Sequence, residues 1–189
     1  MRTLTLSIEP QLFPRFPSLR LGAFVALRLD RAATRLGATQ LARLYRTIAL
    51  RHLIPIGAYD IDALPDPVMT CRAARPLTDW FVPRGARPTD VPLRPDLVVL
   101  AAGATVLSWG RNESRHTCLC ETTRNAAFVT EAIADAQREA AFAALDDLRR
   151  FLAAAGALTG PPAFVDARQP SAELECESVR NCQPGVERP

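Results

Sequence analysis

The side chains best suited to chemistry in this sequence lie between positions 105 and 131. Carboxylate, imidazole, hydroxyl and amide groups alternate there with arginines, between two apolar runs. Such groups can orient a water molecule, donate hydrogen bonds to a developing oxyanion or hold a phosphate. We therefore expect the functional site of the protein in this segment.

A metal site is the first interpretation of this segment. His116, Cys118 and Cys120 follow one another at two-residue spacing, which would place them on one face of a strand. Zinc prefers imidazole and thiolate ligands, but a structural zinc needs four and usually takes them from paired CxxC-type elements. Small cysteines that pack a strand face account for the pattern better. We predict no metal and no other cofactor.

A cysteine nucleophile is the second interpretation, in which Cys118 or Cys120 would be activated by His52 or His116. No strained turn or helix N-terminus that would lower the pKa of a thiol is evident beside them. The sequence also has no Walker loop, no GxGxxG and no HExxH motif. Nucleotide hydrolysis and dinucleotide chemistry therefore have no support.

A nucleic-acid contact is the third interpretation. Residues 109–117 could form a loop in which Arg111 and Arg115 meet phosphates while Trp109 stacks on a base. The alternative is a solvated hairpin turn without function.

Short apolar runs, bounded by proline, glycine or polar residues, predict the strands that would position this segment. They cover residues 4–8, 21–29, 68–73, 80–82, 96–107 as two strands, 115–121 and 126–131. Apolar residues at helical spacing predict a helix over 31–51, with Asp30 as its N-cap, and a second over 135–155. Gly37 allows the first helix to be broken or to be two short helices.

The order of these elements predicts an α+β fold in a single domain rather than a βαβ alternation. We place the domain at residues 1–159. Residues 160–189 carry five prolines, closely spaced glutamates and little apolar periodicity, and we expect them to form a poorly ordered tail.

Composition narrows the class of protein less than the motifs do. All 23 basic residues are arginine, and 17 of them precede residue 131 together with only 10 acidic residues. This excess permits RNA binding, but on composition alone a coding bias that replaces lysine explains it better. The sequence shows no signal peptide and no apolar run long enough to span a bilayer. With an odd number of cysteines, five, it predicts a soluble cytoplasmic protein that contacts no membrane.

Five motifs resemble, in order, the editing domain of the bacterial phenylalanyl-tRNA synthetase beta chain, and more closely its free-standing relatives, small tRNA-binding proteins. They are PIGAYD at 55–60, MTCRAA at 69–74, DLVV at 96–99, the segment 109–123 and FVTEA at 128–132. The resemblance implies a strongly curved, barrel-like mixed sheet flanked by helices. It also implies a pocket for the aminoacyl 3′ end of tRNA, in which a wrongly attached amino acid is removed by ester hydrolysis.

The resemblance assigns residues to this pocket. The family histidine of the first motif falls on Gly57, so that contact is absent, whereas the family glutamate that recognises the tyrosine hydroxyl falls on Glu131. Such hydrolysis needs a positioned water and oxyanion donors rather than a protein nucleophile. The resulting candidates are Glu131, Asn112, His116 and Thr117 for catalysis, Gly57, Ala58, Tyr59, Trp109 and Thr123 for the pocket, and Arg51, Arg111 and Arg115 for RNA phosphates.

Two other functions compete with trans-editing of mischarged tRNA. The protein could be a non-catalytic RNA-binding module, or its pocket could have been reused for a free small metabolite. The editing hypothesis requires that residues 55–60 face the arginine-rich hairpin around residues 109–117 across one cavity.

Overall fold

The computed structural model describes residues 3–85, 93–110 and 112–175. Within these residues the chain forms two α-helices and eleven strands. The helices are α1 (Leu29–His52) and α2 (Arg138–Ala154). The strands are β1 (Leu4–Ile8), β2 (Arg20–Leu27), β3 (Ile56–Asp60), β4 (Val68–Ala73), β5 (Val98–Ala102), β6 (Thr105–Trp109), β7 (Asn112–Glu113), β8 (Ala126–Ala132), β9 (Leu158–Thr159), β10 (Ala163–Val165) and β11 (Ser171–Leu174).

The described strands form two sheets. The outer sheet has the order β11-β1-β4-β5-β6-β7, and the inner sheet has the order β10-β2-β8-β3, with β9 also paired to β2. Strands β1 and β4 run parallel, whereas the other paired strands are antiparallel. The predicted α+β class is confirmed. The predicted barrel-like curvature is not, because neither sheet closes on itself in the described part of the chain.

Both faces of the inner sheet are buried. Side chains alternate between the faces of a strand, so Phe24 of β2 packs towards the helices and Val25 packs towards the outer sheet. The helix side is filled by α1 and α2. This double burial explains why β2 is apolar at almost every position rather than at alternate ones.

Helix α1 is broken at Gly37, whose φ of 39° and ψ of 157° are not helical. The predicted break is therefore confirmed. The predicted N-cap at Asp30 is wrong, because α1 begins one residue earlier, after the left-handed backbone of Arg28. Beyond the break, Tyr45 and Ile48 pack against the inner sheet. The C-terminal half of α1 is thereby fixed beside β3.

The segment 115–121 was predicted as a strand and is instead a loop that makes one isolated bridge, between Cys118 and Tyr59. Local hydrogen bonds explain the difference, because the Cys118 N–H bonds to the Ser114 carbonyl and the Ser114 hydroxyl accepts the His116 N–H. Side-chain and turn contacts of this kind compete with strand pairing. The predicted strand at 80–82 is likewise reduced to isolated bridges at Trp80 and at Pro83.

Residues 160–175 differ from the predicted poorly ordered tail. Strand β10 pairs with β2 and β11 pairs with β1, and each contributes a buried side chain, Val165 and Leu174. These strands cover an edge of each sheet, and such burial offsets the entropy of ordering the chain. Residues 176–189 lie outside the described residues, and the domain boundary at 159 stays a prediction.

Candidate ligand-binding site

A cavity of about 670 Å³ lies between the two sheets at the side where β3 faces the β6–β7 turn. The C-terminal half of α1 and the end of β8 complete its wall. Volumes of about 300–1,000 Å³ are typical of small-molecule sites. Its polar side chains are those of Tyr45, Arg46, Tyr59, Ser108, Glu113 and Glu131, and the rest of its lining is Ala49, Leu50, Leu53, Ile54, Pro55, Ile56, Gly57, Gly110 and Val129.

The cavity brings together the two segments that the editing hypothesis required. Pro55, Gly57 and Tyr59 of the first motif line one side, and Ser108 and Glu113 of the hairpin line another. Side chains do not fill this cavity, although aliphatic side chains form much of its wall. A ligand that enters it meets both apolar surface and several polar groups.

Glu131 lies near the end of β8, on the face that is directed between the sheets. Val129 precedes it by two residues and lines the same cavity, as the alternation of a strand requires. Burial raises the pKa of the Glu131 carboxyl. No hydrogen bond or ion pair to this carboxyl occurs within residues 3–85, 93–110 and 112–175. A desolvated acid without a partner is typical of a functional site, where a ligand or a proton can bind to the carboxyl.

The raised pKa of Glu131 predicts a pH-dependent cost to stability. An acid whose pKa is higher in the folded than in the unfolded chain destabilises the fold once the pH exceeds its unfolded pKa of about 4.3. Glu131→Gln is therefore expected to increase the free energy of unfolding at pH 7 and to leave it unchanged near pH 3. Urea unfolding across this range measures the difference. Glu173→Gln, at an exposed position of β11, is the matched control for the loss of one negative charge, and an E131Q effect that persists at pH 3 would contradict the explanation.

Gly57 and Tyr59 share the cavity face of β3, and the tyrosine uses the space that the glycine leaves. A Cβ atom at position 57 would collide with the Tyr59 hydroxyl and lie 2.9 Å from its Cζ. Burial raises the pKa of Tyr59 above its ordinary value, the Ser108 hydroxyl lowers it, and Glu131 and Glu113 raise it further. The phenol therefore stays protonated and able to donate a hydrogen bond at neutral pH.

This packing predicts that Gly57→Ala lowers the free energy of unfolding by about 1–3 kcal/mol, because the added methyl group must displace the buried Tyr59 side chain. In a Tyr59→Phe background the nearest clash is removed, so the same substitution should cost less. A double-mutant cycle followed by denaturant unfolding measures the coupling. Equal costs of Gly57→Ala in the two backgrounds would show that the tyrosine hydroxyl does not occupy this space.

Glu113 is the second carboxylate of the cavity, and neighbouring groups compensate its negative charge. The Tyr45 hydroxyl donates to its Oε1 at 2.9 Å, and the guanidiniums of Arg84 and Arg46 lie 3.5 and 3.9 Å from its Oε2. Burial, with the Glu113 charge second, raises the pKa of Tyr45. The two carboxylates of the cavity thus differ in their electrostatic surroundings.

Sequence reasoning did not select Tyr45, Ser108 or Glu113 as site residues. Tyr45 is four residues after Leu41 and three before Ile48, so the helical spacing marked it as inward-facing. Glu113 belongs to the polar segment 105–131, in which the sequence predicts the site. What the sequence could not supply was the approach of α1 to the β6–β7 turn, which depends on the tertiary fold.

Asn112, His116 and Trp109 do not line the cavity. Asn112 and His116 are exposed, on β7 and in the loop that follows it. Trp109 is half-buried with its ring 6.4 Å from that of Phe81, on the outer face of the outer sheet. Its indole Nε1 is buried without a hydrogen-bond partner among the described residues.

Ala58, Thr117 and Thr123 also lie elsewhere. Ala58 is buried on the opposite face of β3, against the helices. The Thr123 hydroxyl donates to Asp60 Oδ2 at 2.7 Å, at the far end of β3. Thr117 is buried, its carbonyl accepts the Asp60 N–H, and its hydroxyl lacks a partner within the part of the chain that is described. These threonines anchor the loop to β3.

The three predicted phosphate ligands are dispersed. Arg51 is exposed on α1, next to cavity residue Leu50. Arg115 is exposed and lines a different cavity. Arg111 lies outside the described residues. Within those residues no three His, Cys, Asp or Glu side chains gather as metal ligands, and no helix is long and apolar enough to cross a membrane.

The fold and cavity define a class: two-sheet α+β domains that hold a pocket between the edges of their sheets. No protein-family model and no curated protein matches the sequence. Among solved structures, the chain is similar to an N-terminal fragment of the phenylalanyl-tRNA synthetase beta-subunit from Pyrococcus horikoshii, with a TM-score of 0.63 and 21% identity. The match covers 82% of this chain and 50% of that one. At this identity the likeness shows the fold alone, and the chain corresponds to half of the fragment.

Proposed function

We propose that the protein binds the aminoacylated 3′ end of tRNA and hydrolyses the ester of a mischarged amino acid in the cavity between the two sheets. The observation that carries the proposal is the unpartnered, desolvated carboxyl of Glu131 in a cavity of about 670 Å³ that also holds two phenols. The fold shared with the synthetase fragment and the five sequence motifs support the same assignment.

The reaction is a transfer of the acyl group from ribose to water. Water attacks the ester carbonyl, its proton passes to the Glu131 carboxylate, and the bond from the carbonyl carbon to the ribose oxygen breaks. The ribose oxygen then takes that proton and leaves as a hydroxyl. A carboxylate with a raised pKa suits this role, because general bases work best when their pKa lies near the operating pH.

The phenol of Tyr59 is our candidate for stabilising the oxyanion, and the Ser108 hydroxyl orients it through a hydrogen bond. The phenol is a neutral donor on the cavity wall, and its raised pKa keeps its proton in place. Donors that the fold already aims at the developing charge stabilise it without the reorganisation that water would need. The aliphatic wall, which includes Ile56 and Val129, provides a surface for the side chain of the amino acid.

The backbone of tRNA requires cations at the mouth of the cavity. Arg46 lines the cavity and Arg51 is exposed one turn further along α1. Phosphate contacts by arginines make affinity fall with salt, by about 0.7 in the logarithmic slope for each contact to a single strand. Arg51→Gln should therefore reduce that slope by about this amount, whereas Arg168→Gln in the loop before β11 is the control.

The proposal is tested by incubating pure protein with tRNAs that carry different incorrect amino acids and following survival of the ester. Loss of the ester, faster than without protein, supports the enzyme. Survival of all esters together with salt-dependent tRNA binding would identify a non-catalytic RNA-binding module. Absence of both, with thermal stabilisation by a free amino acid or nucleotide, would assign the cavity to a small metabolite.

A further inference from the structure

A second cavity, of about 540 Å³, lies beside the loop 114–123 and shares no lining residue with the first. Cys118 and Cys120 both line it, together with the guanidinium-bearing residues Arg84 and Arg115. Glu121 is a further lining residue, but its Oε2 accepts the Ala38 N–H where α1 resumes after its break. The cavity thus combines two thiols with two cations.

The two thiols have different environments. Cys120 is exposed, and its Sγ lies 3.1 Å from Thr122 Oγ1 and 3.5 Å from Thr123 Oγ1. The Thr123 proton is directed to Asp60, so Thr122 is the hydroxyl that can donate to the sulfur. The hydrogen bond from Thr122 is the main cause that lowers the pKa of Cys120. Hydrogen bonds to a thiolate favour the form that attacks disulfides.

Cys118 is the less reactive partner. It is half-buried, its Sγ donates to the Arg115 carbonyl at 3.5 Å, and burial raises its pKa. Cys71 is buried between the sheets, where burial also raises the pKa of its thiol. Among the cysteines of the described residues, only Cys120 is both exposed and supplied with a hydroxyl donor.

The geometry points to Cys120 as a thiolation site for small disulfides that carry carboxylate groups, which Arg84 and Arg115 would bind. The Cys120 thiolate attacks one sulfur of the disulfide and forms a mixed disulfide. The other half of the reagent leaves as a thiolate and takes a proton from water. The disulfide is itself the oxidant, so the step balances.

The preference for carboxylates follows from the two arginines. A guanidinium binds a carboxylate through paired hydrogen bonds. Within the described residues Arg115 forms no ion pair, and the Arg84 guanidinium forms one, at 3.5 Å to Glu113. A disulfide without charge would gain nothing from either.

The test exposes the reduced full-length protein to oxidised glutathione, or to hydroxyethyl disulfide as the uncharged comparison. Intact mass measures the adduct and peptide mapping locates it, with the same protein unfolded in urea as the reference for each thiol. At pH 7 we expect Cys120 to react severalfold faster in the folded than in the unfolded chain. This advantage should be larger for oxidised glutathione than for the uncharged reagent.

Three variants separate the contributions. Cys120→Ser should remove the adduct on the peptide that contains residues 118–124, and Thr122→Val should slow its formation with both reagents. Arg115→Gln should reduce the preference for oxidised glutathione and leave the rate with the uncharged reagent unchanged. The inference is overturned if folded Cys120 reacts no faster than in urea, or if Arg115→Gln leaves the ratio of the two reagents unchanged. Neither outcome depends on tRNA binding or ester hydrolysis.

Discussion

Replacing Asp79 by alanine is expected to lower the free energy of unfolding by about 3–5 kcal/mol, because it leaves a buried guanidinium without a counter-charge. The Arg72 and Asp79 side chains are 3% and 0% exposed, and two hydrogen bonds of 2.8 and 2.6 Å join them as a fork. In this geometry water cannot replace the lost carboxylate. Urea unfolding measures the loss.

The pair joins strand β4 of the outer sheet to the β5–β6 turn and to the loop that follows β4. Arg72 on β4 also donates to the Gly103 carbonyl in the β5–β6 turn, and Asp79 accepts the Arg75 N–H at 2.6 Å. The segment that follows carries Phe81, which packs on the outer face of the sheet. Loss of the pair should therefore loosen this cover as well as lower the stability.

A double variant identifies the cause of the expected loss. If an unpaired charge is responsible, Arg72→Met combined with Asp79→Ala should be more stable than Asp79→Ala alone, since the buried cation is gone. A double variant at least as unstable as the single one would instead assign the cost to lost packing and backbone contacts. Asp96→Ala, which breaks the exposed pair with Arg94, is the matched control and should change stability by less than about 1 kcal/mol.

Strands and helices could be predicted from the sequence where one face of the element is buried, because burial then gives the apolar residues a regular spacing. Strands β1, β2, β4, β5, β6 and β8 and helix α2 agree with the predicted elements, because their side chains meet a core on a fixed face. Strands β10 and β11 were missed, since only Val165 and Leu174 are fully buried in them and the prolines around them suggest a loop. Their order comes from pairing with β1 and β2, which are far away in the chain.

The candidate site could be predicted only in part, for the same reason. Glu131 belongs to a predicted strand, β8, so the two-residue period already placed it on the same face as Val129. Strand β3 was not predicted, and Gly57 and Tyr59 were selected only through the resemblance of the first motif. Asn112 and His116 belong to β7 and the loop after it. There, local hydrogen bonds decide where each side chain faces, and no regular alternation of apolar residues predicts it. The sequence locates a loop residue near a site, but it does not tell which way that residue faces.

Glu131→Ala is expected to lower kcat/KM for ester hydrolysis by about 10²–10⁴, the usual effect of removing a general base. Glu131→Gln should lose as much, because the amide has the same size but accepts no proton. Single-turnover assays with mischarged tRNA measure both. Activity of the unaltered protein should fall as the pH drops through the raised pKa of Glu131, and this acid limb should be missing from the residual activity of the variants.

The neighbouring carboxylate supplies the control for this experiment. The Glu113 carboxylate is already paired with Arg84 and accepts a hydrogen bond from Tyr45. The effect of Glu113→Gln on kcat should therefore be much smaller than that of either Glu131 variant. Equal losses at Glu113 and Glu131 would show that the cavity needs negative charge in general rather than a base at one position.

Activity and stability together separate a functional carboxyl from a structural one. A structural glutamate loses both when it is replaced, because its contacts hold the fold. Glu131 has no such contact among the described residues and bears a desolvation cost, so Glu131→Gln should be less active and more stable at pH 7. An inactive variant that is also less stable at pH 7 would mean that Glu131 supports the shape of the cavity instead of acting in it.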